Sequence, residues 1–317
     1  MDKIYPLKLT PVLKDAIWGG YKLADKYGAA TPGTQIAENW CLTVRDDGMS
    51  VIENGPYAGL SLGEYLKGLG RYTDTPFPIL IKFIDAKTDL SVQVHPDDDF
   101  ARIHENDSGK TEMWYITEAD EGAQIVYGLK ENTDKNDLLS DDGNTIRGAL
   151  NYIDVKAGDV YYIPSGLVHA LCGGITIAEI QQSSDLTYRL YDYGRIGKDG
   201  KPRELHTEKA IECIKNFSDD DITALRYKNN IGKDISVIAS SEYFTVKKLS
   251  LSAQGITLNT SGKDCSLVAV DGDGEIISGV NSYKIKKGES YFLPLEIGEY
   301  SVRADKMVNI ILSYSNH

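Results

Sequence analysis

No two of the four cysteines, Cys41, Cys172, Cys213 and Cys265, form a C-x-x-C pair. That spacing argues against a zinc ribbon and a disulfide framework and fits a reducing, cytoplasmic setting. No apolar run reaches about 18 residues and no charged-then-apolar leader opens the chain, so neither a membrane span nor a signal peptide is expected. Positive charge is scarce: 34 Lys and Arg stand against 47 Asp and Glu, a net charge of −13 with no long basic run. Nucleic-acid binding needs a cationic surface and is not expected. An anionic small molecule is compatible with this charge if a few Lys and Arg concentrate in a cleft. Phenylalanine is rare, 6 residues against 20 tyrosines, a bias that suits β-structure with wetted faces.

What is present is a globular chain, 41% apolar over 317 residues, long enough for two domains or one elaborate one. Strand-like stretches dominate: PILIKFIDA and LSVQVH between residues 78 and 95, KTEMWYITEA at 110–119, three runs within 153–193, and nearly all of the last eighty residues. Few helices interrupt them. Residues 61–70 carry a serine cap and a terminal glycine, and residues 131–151 predict short helices between strands. Asp97–Asp99 read as a helix start, with His104 structural in the following turn. Residues 206–217 predict a helix with Thr207 as cap. His206, beside that cap, and the terminal His317 are given no role. Many short strands with few helices argue for a sandwich or jelly roll. KAGDVYYIP at 156–164 recurs as KKGESYFLP at 286–294, and only the first copy continues to a histidine, in SGLVHAL. Two barrels of common plan, one having lost its site, would explain the echo.

The strand period of two gives these stretches chemical content. Gln93 and His95 share a face in SVQVH, and Lys110, Glu112 and Trp114 share one in KTEMW. His169, just past the turn Pro164-Ser165-Gly166, supplies a second imidazole. Two histidines, a carboxylate and an amide oxygen form a reasonable ligand set for Zn²⁺ or another divalent transition metal. Such a site has a charge near +1 and suits polarising a carbonyl or hydroxyl oxygen. In LTYRLYDYG, strand alternation puts Thr187, Arg189, Tyr191 and Tyr193 on one face, where Arg189 can offer a fork to a phosphate or an oxyanion.

The pattern from Gly158 to His169, G(x)5PxGxxH, resembles the second motif of the cupin superfamily. LSVQVHPDD (90–98), GKTEMWYI (109–116), QQSSDLTYRLYDYGR (181–195) and IWGG (17–20) resemble the short bacterial branch of type I mannose-6-phosphate isomerases. The likeness spans most of the first 210 residues. It implies a mainly β, double-cupin fold, two jelly-roll barrels with a few inserted helices. Residues 1–235 would form the catalytic barrel, with N-terminal strands able to pair with the second, and residues 236–317 a decayed barrel without a metal site. It also implies one Zn²⁺ per chain on His95, Glu112 and His169, with Gln93 the weaker claimant, in a monomer or homodimer.

The activity implied is interconversion of mannose 6-phosphate and fructose 6-phosphate through a cis-enediol. Arg189 corresponds to the family's active-site arginine, with Glu179 and Lys110 as candidate proton-transfer groups. Arg189, then Lys198 and Arg195 in GRIGKDG, are the expected phosphate contacts. Two other classes compete, a metal cupin with different chemistry such as an oxygenase and a non-catalytic sugar-binding or regulatory cupin. Lys110 beside Glu112 and the Arg189 strand count against the first, and the undecayed first barrel against the second.

Overall fold

The structure, a computed structural model, describes residues 4–139, 143–197, 200–227, 234–253 and 255–317. Four sheets lie in layers with a hydrophobic seam between each neighbouring pair. A five-stranded sheet, whose central strands are Gln124–Leu129, His169–Leu171 and Val92–Val94, faces a seven-stranded sheet built around Glu112–Ala119, Ile175–Gln182 and Ile79–Ala86. Ile84, Trp114, Ile116 and Ile177 of the larger sheet pack there on Ile125, Tyr127 and Leu171 of the smaller. The opposite face of the seven-stranded sheet, with Ile81, Phe83, Met113 and Ile180, packs on a second seven-stranded sheet through Val246, Val268 and Phe292. That sheet in turn faces a four-stranded one across Leu267, Ile276, Val302 and Ile310. The chain is thus mainly β in the jelly-roll manner expected, although its sheets face each other as open pairs rather than closing into barrels. Strand alternation explains the layering: the central strands are buried on both faces, so they read as near-continuous apolar runs.

The N-terminal strand Leu7–Thr10 joins the second seven-stranded sheet, pairing with Ser290–Leu293 on one side and Val51–Ile52 on the other. The sequence echo is also an echo of structure. Gly158 and Gly288 have φ of 91° and 87°. Asp159 and Glu289 each accept from the backbone N–H three residues earlier, at 3.0 and 2.9 Å. Both turns lead into four-residue strands, Val160–Ile163 and Ser290–Leu293.

Helices pack on the outside of the five-stranded sheet, where Ile146, Ala210 and Cys213 cover Val94, Val168 and Leu190. Leu62–Gly68 is closed by Ser61 and Glu64 in a reciprocal capping box, and Asp97 caps Asp98–His104. The helix expected over 206–217 runs only from Thr207 to Cys213, with His206 rather than Thr207 at the cap position. It stops because Ile214 turns extended and the Lys215 N–H is taken by the Gly166 carbonyl at 3.0 Å. A further short helix, Asp219–Ala224, was not anticipated. Its capping box of Ser218 and Asp221 was legible in the sequence SDDD.

Candidate metal centre and cavity

The Pro-Ser-Gly turn explains how the second histidine arrives. Gly166 has φ of 86°, and its N–H donates to the His95 carbonyl at 2.9 Å. A side chain there would meet Lys215 and the Cys213 carbonyl within 3 Å, so glycine is required on both counts. Three residues later His169 starts its strand directly opposite Gln93, and Gln93 also stands opposite Arg189. In the facing sheet, Trp114, Glu179, Lys82 and Trp40 form one row across four strands, with Glu112 one pleat away opposite Gln181.

The two rows enclose a cavity of about 380 Å³ whose lining includes Gln93, Lys110, Glu112, Glu179 and Arg189. His95, Glu112 and His169 are all buried, with one potential ligand atom from each lying within 4.8 Å of the others. The His95 Nδ1–H donates to the Leu186 carbonyl and the His169 Nδ1–H to the Leu167 carbonyl, both at 2.8 Å. Each ring therefore turns a bare Nε2 lone pair inward, toward Glu112 at 3.5 and 3.4 Å. His169 Nε2 has no hydrogen-bond partner among the described residues, and Trp114 packs edge-on against its ring. Lys110 Nζ lies 2.9 Å from Glu112 Oε2 and 3.2 Å from His95 Nε2, a cation already seated among the converging donors. Burial holds the His169 imidazolium down to about 4, and burial with the Lys110 charge holds His95 well below its ordinary value. Both rings are therefore neutral, as metal binding requires.

Glu179 lies behind this triad. Its Oε2 accepts the Trp114 indole N–H at 3.0 Å, while Oε1 accepts no hydrogen bond among the described residues and lies 3.7 Å from Lys110 Nζ. Burial and the neighbouring Glu112 push its pKa up, against the opposing pull of Lys82 and Lys110. At the other end of the cavity Arg189 is half-buried, its Nε unpartnered among the described residues and its Nη1 on the Glu204 carbonyl at 3.3 Å.

Not every expected residue reaches the cavity. Arg195 is held by Asp192 and by the Asp89 carbonyl and is absent from the lining. Lys198 lies outside the described residues. A bulge between Arg189 and Tyr191 breaks the alternation, so Thr187 and Arg189 line the cavity while Tyr191 and Tyr193 do not. Residues that sequence reasoning passed over take part: Lys82, Glu38, Asp185, Arg203 and His206 all line it. The charged lining comprises four carboxylates and four cations, an even balance inside a strongly acidic protein. Lys82 did carry a signal, a lone charge in the middle of PILIKFIDA, whereas nothing in KPRELH marks Arg203 or His206.

Two imidazoles and a carboxylate converging between the sheets of a jelly roll, with the second histidine delivered by a glycine turn, define a cupin with a candidate metal centre. Comparison with known proteins narrows the class. Residues 6–127 match the family model "Phosphomannose isomerase type I, catalytic domain", and residues 234–315 match "Mannose-6-phosphate isomerase, cupin domain". The probable mannose-6-phosphate isomerase GmuF of Bacillus subtilis (strain 168) is 40% identical, over 94% of this chain and 96% of its own length. The mannose-6-phosphate isomerase of Streptococcus mutans is 37% identical, over 98% of each chain. The crystal structure of the Bacillus subtilis mannose 6-phosphate isomerase superposes with a TM-score of 0.85 at 34% identity, covering 97% of this chain and 99% of that one. This chain belongs to the type I mannose-6-phosphate isomerase family.

Proposed function

We propose that the chain interconverts mannose 6-phosphate and fructose 6-phosphate through a cis-enediol, using one Zn²⁺ held by His95, Glu112 and His169, with Gln93 a weaker fourth ligand. The observation that carries this reading is the convergence of three buried donors beside a cavity lined also by Glu179, Lys110 and two arginines. Neutral imidazoles oriented through Nδ1 and a carboxylate suit zinc. Zinc bound there supplies positive charge for the sugar oxygens that become negative as the carbon-bound proton leaves.

The chain's own residues supply the rest. Arg189 and Arg203 line the cavity as cations for the phosphate, whereas Arg195 does not reach the lining; Lys198 stays a candidate contact outside the described residues. Asp192 accepts from Arg203 Nε at 2.8 Å and so fixes the direction of its fork. Glu179 Oε1 and Lys110 Nζ, 3.7 Å apart, are the groups placed to carry the C–H and O–H protons between C1 and C2. Trp18, Ile84, Leu90, Trp114 and Leu171 add an apolar stretch of wall beside these polar groups. Residues 1–235 would form the catalytic unit and 236–317 a second cupin unit, whose only histidine is the terminal His317. Free thiols at all four cysteines support a reducing, cytoplasmic location. No helix among the described residues is long and apolar enough to cross a membrane.

Reaction in D₂O tests the chemistry. Proton transfer through an enediol places solvent deuterium at C1 of fructose 6-phosphate or C2 of mannose 6-phosphate, visible by NMR. Complete retention of the substrate hydrogen over many turnovers would contradict it.

A further inference from the structure

Lys82 occupies the centre of an apolar strand and is 3% exposed. Desolvating an ammonium there is costly unless charge and hydrogen bonding compensate it. The compensation is double: Lys82 Nζ lies 3.2 Å from Glu38 Oε2 and 3.5 Å from Glu179 Oε1. Each carboxylate has its own indole anchor. Trp40 donates to Glu38 Oε2 at 2.6 Å, and Trp114 donates to Glu179 Oε2 at 3.0 Å. The two contacts of Lys82 differ in kind, because the one to Glu38 is a hydrogen bond while the one to Glu179 is an ion pair without hydrogen-bond geometry. Glu38 therefore aims the ammonium, and Glu179 receives its field without surrendering Oε1.

We infer that Lys82 is a positioning residue of the isomerisation: anchored by Glu38 and Trp40, it fixes the Glu179 side chain from one side as Trp114 does from the other, with Oε1 accepting no hydrogen bond from the described residues. The inference rests on the reading of Glu179 as a proton-transfer group. The charges facing Glu179 are Lys82 and Lys110, which favour the carboxylate, and Glu112 and Glu38, which disfavour it. Removing both residues takes away the ammonium that fixes Glu179 at 3.5 Å while the charge of the pair itself stays balanced.

The test uses the zinc-loaded full-length protein and three variants, Lys82→Met, Lys82→Met/Glu38→Gln and Glu179→Gln. The single Lys82 variant leaves two buried carboxylates facing each other and can fail to fold. The double variant removes one charge of each sign and keeps the question answerable. The expected result for the double variant is unchanged zinc content, a KM within a few-fold of the parent, and a kcat lower by about 10²-fold. A parental kcat in the double variant, with Glu179→Gln inactive, would overturn the role of Lys82 alone. Near-parental activity of Glu179→Gln would overturn the reading of Glu179 and the inference with it.

Discussion

His95 and Gly166 are joined by a backbone hydrogen bond of 2.9 Å, from the glycine N–H to the histidine carbonyl. Through it the turn that delivers His169 is fastened to the residue that supplies the other imidazole, so the spacing of the two rings is set by main chain rather than by flexible side chains. Replacing Gly166 with alanine imposes a left-handed φ on a residue that disfavours it and drives its Cβ into Lys215 and Cys213. The expected cost is at least about 1–3 kcal/mol, together with weaker zinc retention against a chelator. Thermal unfolding with and without the metal, and competition with a chromophoric chelator, measure both effects.

Glu112→Gln tests the ligand set itself. Glu112 faces both Nε2 atoms, so losing its charge should weaken zinc binding by more than the roughly 10–100-fold expected of an outer-shell change. Removing the amide of Gln93, in Gln93→Ala, should cost less. Equal losses at the two positions would make Gln93 a full ligand.

The anion end of the cavity is tested by Arg189→Ala and Arg203→Ala. Losing a charge-assisted hydrogen bond of about 1.5–3 kcal/mol should lower kcat/KM by about ten- to hundredfold while zinc content stays normal. Loss of metal in either variant would show that the arginine supports the metal centre instead. Arg195→Ala should have a smaller effect, since Arg195 is absent from the cavity lining although it shares Asp192 with Arg203.

In the metal-free protein His169 is neutral until about pH 4, whereas the unfolded chain protonates near its ordinary value of about 6.5. The unfolded state therefore binds more protons between these values. The stability supplied by the neutral ring is intact above about pH 6.5 and is lost as pH falls toward 4, with a slope of up to about 1.4 kcal/mol per pH unit. The raised Glu179 acts in the opposite sense, so the comparison is with His169→Gln. The denaturant midpoints of the two chelator-treated proteins should converge on acidification, and a constant separation would contradict a buried neutral His169.

The fold and the clustering of His95, Glu112 and His169 could be read from the sequence because both rest on short-range rules. The period of two puts Gln93 with His95 and Glu112 with Trp114, and the G(x)5PxGxxH turn places His169 without any long-range information. The alternation around Arg189 failed where a bulge intervened, since one extra residue flips every side chain beyond it. Arg203 and His206 reach the cavity through tertiary placement of a loop that carries no periodic signal. Lys82 was different. Its charge is visible within PILIKFIDA, but the run reads as a dense apolar strand, and only the row from Trp114 to Trp40 shows what the charge faces.

The most direct test of the whole account is conversion of mannose 6-phosphate to fructose 6-phosphate by chelator-stripped protein before and after adding Zn²⁺. The account predicts activity that disappears with the metal and returns at one zinc per chain. Full activity in metal-free protein, or none in protein holding one zinc per chain, would contradict it.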